Sequence, residues 1–192
     1  MERTISVSKS ALLVMDVQRG IVDRFTYDDE YLPRLRRAID AARSGGIPVI
    51  YVVIGFRAGH PEVSARNKTF SAIAGTGAFG ADDPNAEIHP DVAPQPGDIV
   101  VTKKRVSAFA GSDLDVVLRG TEIDTLVLSG IATSGVVLST LRQAADLDYG
   151  IVVLEDGCLD GDSEVHRVLT GKVFPRQAEV VTVDKWLVTL GS

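Results

Sequence analysis

Apolar residues gather in six short runs: "ALLVM" (11–15), "PVIYVVI" (48–54), "DIVVT" (98–102), "DTLVLS" (124–129), "GIVVLE" (150–155) and "AEVVTV" (178–183). The runs are continuous instead of alternating, the pattern of parallel strands buried on both faces. Helical patterns lie between most of them, at 30–46, 112–120, 134–148 and 163–174. The first ends in Gly45-Gly46, suited to a helix C-terminus, and the second opens with Ser112 and Asp115 at the spacing of a capping box. Residues 57–97 break the rhythm with many Gly, Pro and polar positions. Such a stretch reads either as a binding loop or as a surface excursion with a short helix near 69–74.

Alternating strands and helices predict a three-layer α/β/α Rossmann-like fold with a mainly parallel six-stranded sheet. At 192 residues and 45% apolar content, the chain is expected to form a single domain over 1–192. A net charge of -6 and a pI near 5.0 leave no basic surface for phosphates, which argues against nucleic-acid or anionic-membrane partners and for a small-molecule substrate. No apolar run reaches membrane-spanning length and the first residues carry no targeting pattern, so a cytoplasmic location is expected. Cys158 is the sole cysteine, which excludes an intrachain disulfide and agrees with a reducing compartment.

Open parallel sheets bind ligands beyond the carboxyl ends of their strands. Reading off the ends of the runs gives Asp16, Lys103, the Thr133-Ser134-Gly135 turn and Asp156. A carboxylate and an ammonium at a partly buried edge hold each other charged until a substrate perturbs them, which suits proton transfer. The plainer readings are that Asp16 caps the following turn and Lys103 belongs to a solvated run with Lys104 and Arg105.

The segments "ALLVMDVQRG", "DIVVTKKRVSAF" and "LVLSGIATSGVVLSTLRQAADLDYGIVVLEDG", in this order and spacing, resemble the isochorismatase-like hydrolases, also called cysteine hydrolases, from about residue 10 to residue 185. The resemblance implies a catalytic set of Asp16 and Lys103 with a Cys that opens the helix after the Gly-x-x-Thr turn. It also implies a peptide that is often cis at Ala132-Thr133, and an oxyanion hole from helix-start amides among Ala132, Thr133, Gly135 and Val136. A homodimer or larger homo-oligomer is implied as well, with the apolar "KWLVTL" (185–190) as a possible contact.

The position of the family Cys holds Val136 here. Valine has no lone pair to attack a carbonyl, so thiolate acyl transfer cannot run. Isochorismatases proper also lack this Cys and hydrolyse a vinyl ether by protonation and water attack, a scheme that casts Asp16 as general acid and Lys103 as its electrostatic partner. They carry a Gln at the end of the second strand where this chain has Ile54, which counts against isochorismate itself. The expectation is a cofactor-free hydrolase using Asp/Lys-assisted proton transfer and water addition. The alternative is a catalytically inactive member serving as a small-molecule-binding or scaffold protein.

Candidate substrate contacts are Gln18, Phe25, Arg105, Phe109 and Ser134, with Arg57, Arg66 and Asn67 as further anion binders on the long loop. "GTGAFG" (75–80) matches a dinucleotide fingerprint, but turn residues follow it instead of a helix. His60, His89 and His166 form no metal-ligand motif, so no metal is expected and His166 reads as a surface or packing residue. The hydroxyls of Thr133 and Ser134 lack a base placed by motif, and helix capping is the expected use of one of them.

Overall fold

The computed structural model describes residues 9–25 and 28–191. Residues 1–8, part of the stretch read for a targeting signal, lie outside them. Six strands follow the apolar runs: β1 (Ser10–Met15), β2 (Val49–Ile54), β3 (Ile99–Lys103), β4 (Thr125–Ile131), β5 (Gly150–Leu159) and β6 (Glu179–Val181). They form one parallel sheet in the order β3-β2-β1-β4-β5-β6, so the chain starts at the centre and winds outward to each edge.

The helices are α1 (Arg19–Val22), α2 (Tyr31–Ser44), α3 (Lys68–Thr76), α4 (Leu114–Gly120), α5 (Leu138–Asp146), α6 (Ser163–Val168) and α7 (Val183–Leu190). Successive strand residues point to opposite faces, and β1 shows the result directly. Ala11, Leu13 and Met15 pack with Leu114 and Leu118 of α4 and Leu141 and Ala144 of α5. Leu12 and Val14 pack with Leu35 and Ile39 of α2 and Trp186 of α7. Both faces of the central strands are therefore buried, as their continuous apolar runs require, while on the edge strand β3 Val100 and Thr102 are exposed. Each fully buried Leu or Ile contributes on the order of 1.5–3 kcal/mol relative to exposure. No helix among the described residues is long and apolar enough to cross a membrane.

Two local expectations, the capping box and one continuous helix over 163–174, are corrected. Asp113 is the N-cap of α4 and makes no side-chain cap bond; Ser112 Oγ instead donates to Ala108 O and Asp115 pairs with Arg119, so there is no capping box. The 163–174 pattern is α6 followed by a π-helical turn and a 3-10 turn. Within 57–97, α3 occupies Lys68–Thr76, capped by Asn67, whose side chain accepts from Phe70 N at 3.1 Å. The "GTGAFG" stretch closes this helix, with Gly77 left-handed at its C-cap. The C-terminal "KWLVTL" lies in α7 and buries Trp186 against its own chain.

Candidate active site

β1 leads directly into Asp16, whose amide donates to Val52 O at 2.8 Å and whose φ is +57°, a conformation aspartate tolerates better than most residues. Lys103 is the last residue of β3 and lies opposite Ile54 of β2. The two residues are two strands apart, about 10 Å, and the lysine stem closes that gap over the end of β2. Lys103 Nζ reaches Asp16 Oδ2 at 2.9 Å and donates to Arg105 O at 3.1 Å. Both residues are buried, at 2% and 7% exposure, while Asp16 Oδ1 has no hydrogen-bond partner among the described residues. Burial pushes the Asp16 carboxyl above its ordinary value, and Lys103 opposes the shift without cancelling it. The site thus holds a carboxyl that keeps its proton to higher pH than a free one, with one oxygen unused.

Between these two residues the backbone is braced by Gln18. Its Nε2 donates to Ile54 O at 2.9 Å and Ala86 O at 2.6 Å, and its Oε1 accepts from Ile54 N at 2.9 Å. The amide expected to meet a substrate is therefore committed to fastening the end of β2. Arg105 is likewise engaged: Nη1 donates to Lys104 O at 2.6 Å and Nη2 to Glu62 O at 2.7 Å. It holds the long loop. Arg57 pairs with Glu62 at 2.6 Å, and Arg66 is exposed. Phe109 packs into the α4/α5 side of the core beside Tyr149, with ring centroids 6.0 Å apart. Phe25 is half-buried and lies beside Gly161.

The cis peptide bond joins Ile131 and Ala132, one bond earlier than expected. Just before it, Gly130 has φ +136°, and a Cβ there would lie 2.1 Å from Met15 O, so β1 and β4 meet closely only because this position is glycine. Residues Thr133–Val137 form a π-helical turn before α5, and neither Thr133 nor Ser134 caps it by side chain. The Gly135 amide donates to Ala132 O at 3.0 Å, which removes it from the expected oxyanion donors. Val136 is 2% exposed and belongs to the core cluster that holds Met15, Leu128 and Cys158.

On the β5 side of this turn is a polar cluster that sequence reasoning missed. Thr133 Oγ1 donates to Leu159 O at 3.1 Å and lies 2.8 Å from His166 Nδ1, so with its proton on Leu159 O it accepts from the ring. Asp160 Oδ2 accepts from Ser134 N at 2.6 Å, and Oδ1 accepts from Asp162 N. Burial holds the His166 ring below its ordinary pKa, although Asp160 and Glu155 act the other way. His166 is thus no ordinary surface residue. Asp156, expected at a strand end, lies inside β5, where Oδ1 accepts from Val183 N at 2.7 Å and anchors α7.

Cys158 stands beside Gly130 in the β4–β5 register, 2% exposed, and burial pushes its thiol up to about 12. A thiol raised this far is poorly disposed to form a thiolate. Among the described residues no group of His, Cys, Asp and Glu side chains is placed to hold a metal ion.

The isochorismatase domain family matches residues 10–185. The isochorismatase family protein YwoC of Bacillus subtilis is 33% identical over 183 residues, spanning 95% of each chain. Ureidoacrylate amidohydrolase RutB of Variovorax paradoxus is 38% identical over 208 residues, spanning 95% of this chain and 82% of that one. An isochorismatase family protein from Burkholderia thailandensis shares the fold at a TM-score of 0.83 with 29% identity, covering 96% of this chain and 97% of that one. A cysteine hydrolase from Pseudomonas syringae pv. phaseolicola 1448A shares it at 0.91 with 22% identity, covering 99% and 96%. The protein belongs to the isochorismatase family of hydrolases.

Proposed function

We propose that the protein hydrolyses a small molecule by proton transfer from Asp16, assisted by Lys103, followed by addition of water, with no thiol nucleophile and no cofactor. The observation that supports this reading is the buried Asp16–Lys103 pair at 2.9 Å with Asp16 Oδ1 unpartnered among the described residues. A carboxyl that burial holds above its ordinary pKa keeps its proton to higher pH than a free one, which suits a general acid, and the ammonium beside it stabilises the carboxylate left behind. On a vinyl ether, the proton goes to the enol carbon and water adds to the resulting oxocarbenium carbon. Asp16 then takes a proton back from that water, and the hemiketal separates into a carbonyl compound and an alcohol. RutB relatives are named for amide hydrolysis, so small amides and ureas belong in the same substrate screen.

Val136 stands at the position of the family thiol, and its packing in the core supports the absence of covalent catalysis. The same observation favours a second reading, a binding protein with an inactive site. Asp16→Asn and Lys103→Ala decide between them. On the first reading each abolishes turnover of vinyl ethers, amides or ureas by the parent. If only Val136→Cys turns such substrates over, the second reading holds. The resemblance and the single buried thiol further support action as a cytoplasmic homo-oligomer.

A further inference from the structure

The ammonium of Lys103 has two anchors, the Asp16 carboxylate and the carbonyl oxygen of Arg105. The second anchor is a backbone atom, and its place depends on what holds residue 105. Lys104 N donates to Ala110 O on the chain just before it, and the other hold is the arginine's own side chain. Its guanidinium donates to Lys104 O and to Glu62 O, and Cζ lies 5.8 Å from the centroid of the Phe70 ring. Both loop partners are themselves fixed. Glu62 Oε1 accepts from Arg57, and Phe70 is buried in the first turn of α3, with its amide bonded to the capping Asn67.

We infer that Arg105 is a positioning residue for the Asp16–Lys103 pair, locking the carbonyl that aims the Lys103 ammonium so that Asp16 Oδ1 stays open. The inference rests on reading that pair as the reacting centre. An ammonium on a four-carbon stem has three rotatable donors and much rotamer freedom, so one partner alone does not define its direction. A guanidinium presents its donors in a rigid planar fork, and here the fork spans two carbonyls from segments 42 residues apart in the chain (62 and 104). The arginine joins the 57–97 excursion to the site without touching a reacting atom.

The test is a carbon-13 NMR titration of the Asp16 carboxyl in the parent, Lys103→Met, Arg105→Met and Arg105→Lys, with melting temperatures measured alongside. Lys103→Met removes the charge that lowers the Asp16 midpoint, so the midpoint rises. Arg105→Met is expected to raise it in the same direction by a smaller step, and Arg105→Lys to fall between Arg105→Met and the parent. With a substrate in hand, Arg105→Met should lower kcat by about 10- to 100-fold and leave KM nearly unchanged. An Asp16 midpoint equal to the parent's in folded Arg105→Met, while Lys103→Met shifts it, overturns the inference and leaves the pair intact. No shift in Lys103→Met overturns the pair and the inference together. Arg105→Gln, which keeps an amide donor for Glu62 O, takes the place of Arg105→Met if that variant does not fold, with the same outcomes.

Discussion

The turn that follows β4 has two polar neighbourhoods, and they are built on opposite terms. At the ends of β1 and β3, Asp16 and Lys103 are buried as an ionisable pair, and one carboxyl oxygen is left without a partner among the described residues. On the β5 and α6 side, Thr133, Asp160 and His166 form a network in which the Thr133 hydroxyl and both Asp160 oxygens are bonded. An unsatisfied buried carboxylate oxygen is expensive to maintain, whereas a satisfied network holds backbone in place. The first arrangement is what a reacting group needs, and the second is what a loop needs. The two also titrate with opposite effect. Asp16, raised in the fold, contributes stability that is present below its unfolded value and lost as pH rises through the folded one. His166, lowered in the fold, contributes stability present above its unfolded value and lost as pH falls through the folded one.

Lys103→Met should break the comparison most severely, because it leaves a buried carboxylate uncompensated. A loss of about 3–5 kcal/mol is expected from urea denaturation at a pH high enough to ionise Asp16. The loss should shrink as pH falls and Asp16 takes up its proton; an equal loss at every pH would mean that the carboxylate is not the group left stranded. Thr133→Val should come next. It keeps the shape of the side chain but leaves Leu159 O and the His166 ring without their hydroxyl, for a loss of about 1–3 kcal/mol. If the β5 side is scaffold, turnover should fall only as far as the folded population does. The smallest effect is expected from His166→Gln, read as the slope of stability against pH. The parent should lose stability on acidification from about the ordinary histidine range downward, and the variant should show a flatter curve. An unchanged slope would show that the ring is not held neutral by the fold.

Much of this was legible in the residues. Continuous apolar runs locate strands because a strand buried on both faces has no polar side to interrupt it, and Asp16 and Lys103 stood out as charged residues at the ends of such runs. The extent of β5 was hidden because Glu155 and Asp156 read as the end of a strand. The sheet instead shifts register between Leu128 and Gly130, and β5 continues to Leu159. That shift carries Asp160 to the turn, so the missed strand end and the missed polar cluster share one cause. The backbone bonds of Gln18 and Arg105 were hidden for a different reason. Their partners are backbone carbonyls, at Ile54, Ala86, Lys104 and Glu62, and a carbonyl has no identity in the sequence. A polar side chain near a site reads the same whether it faces a ligand or a distant loop.

Cys158 has one practical consequence. A sole thiol that is both enclosed by core and protonated at neutral pH makes the native protein silent to alkylating reagents under gentle conditions. A cysteine engineered at the β4 turn would then be the only position such a reagent marks. Its labelling rate would report how far small molecules penetrate to the floor of the site, with no background to subtract.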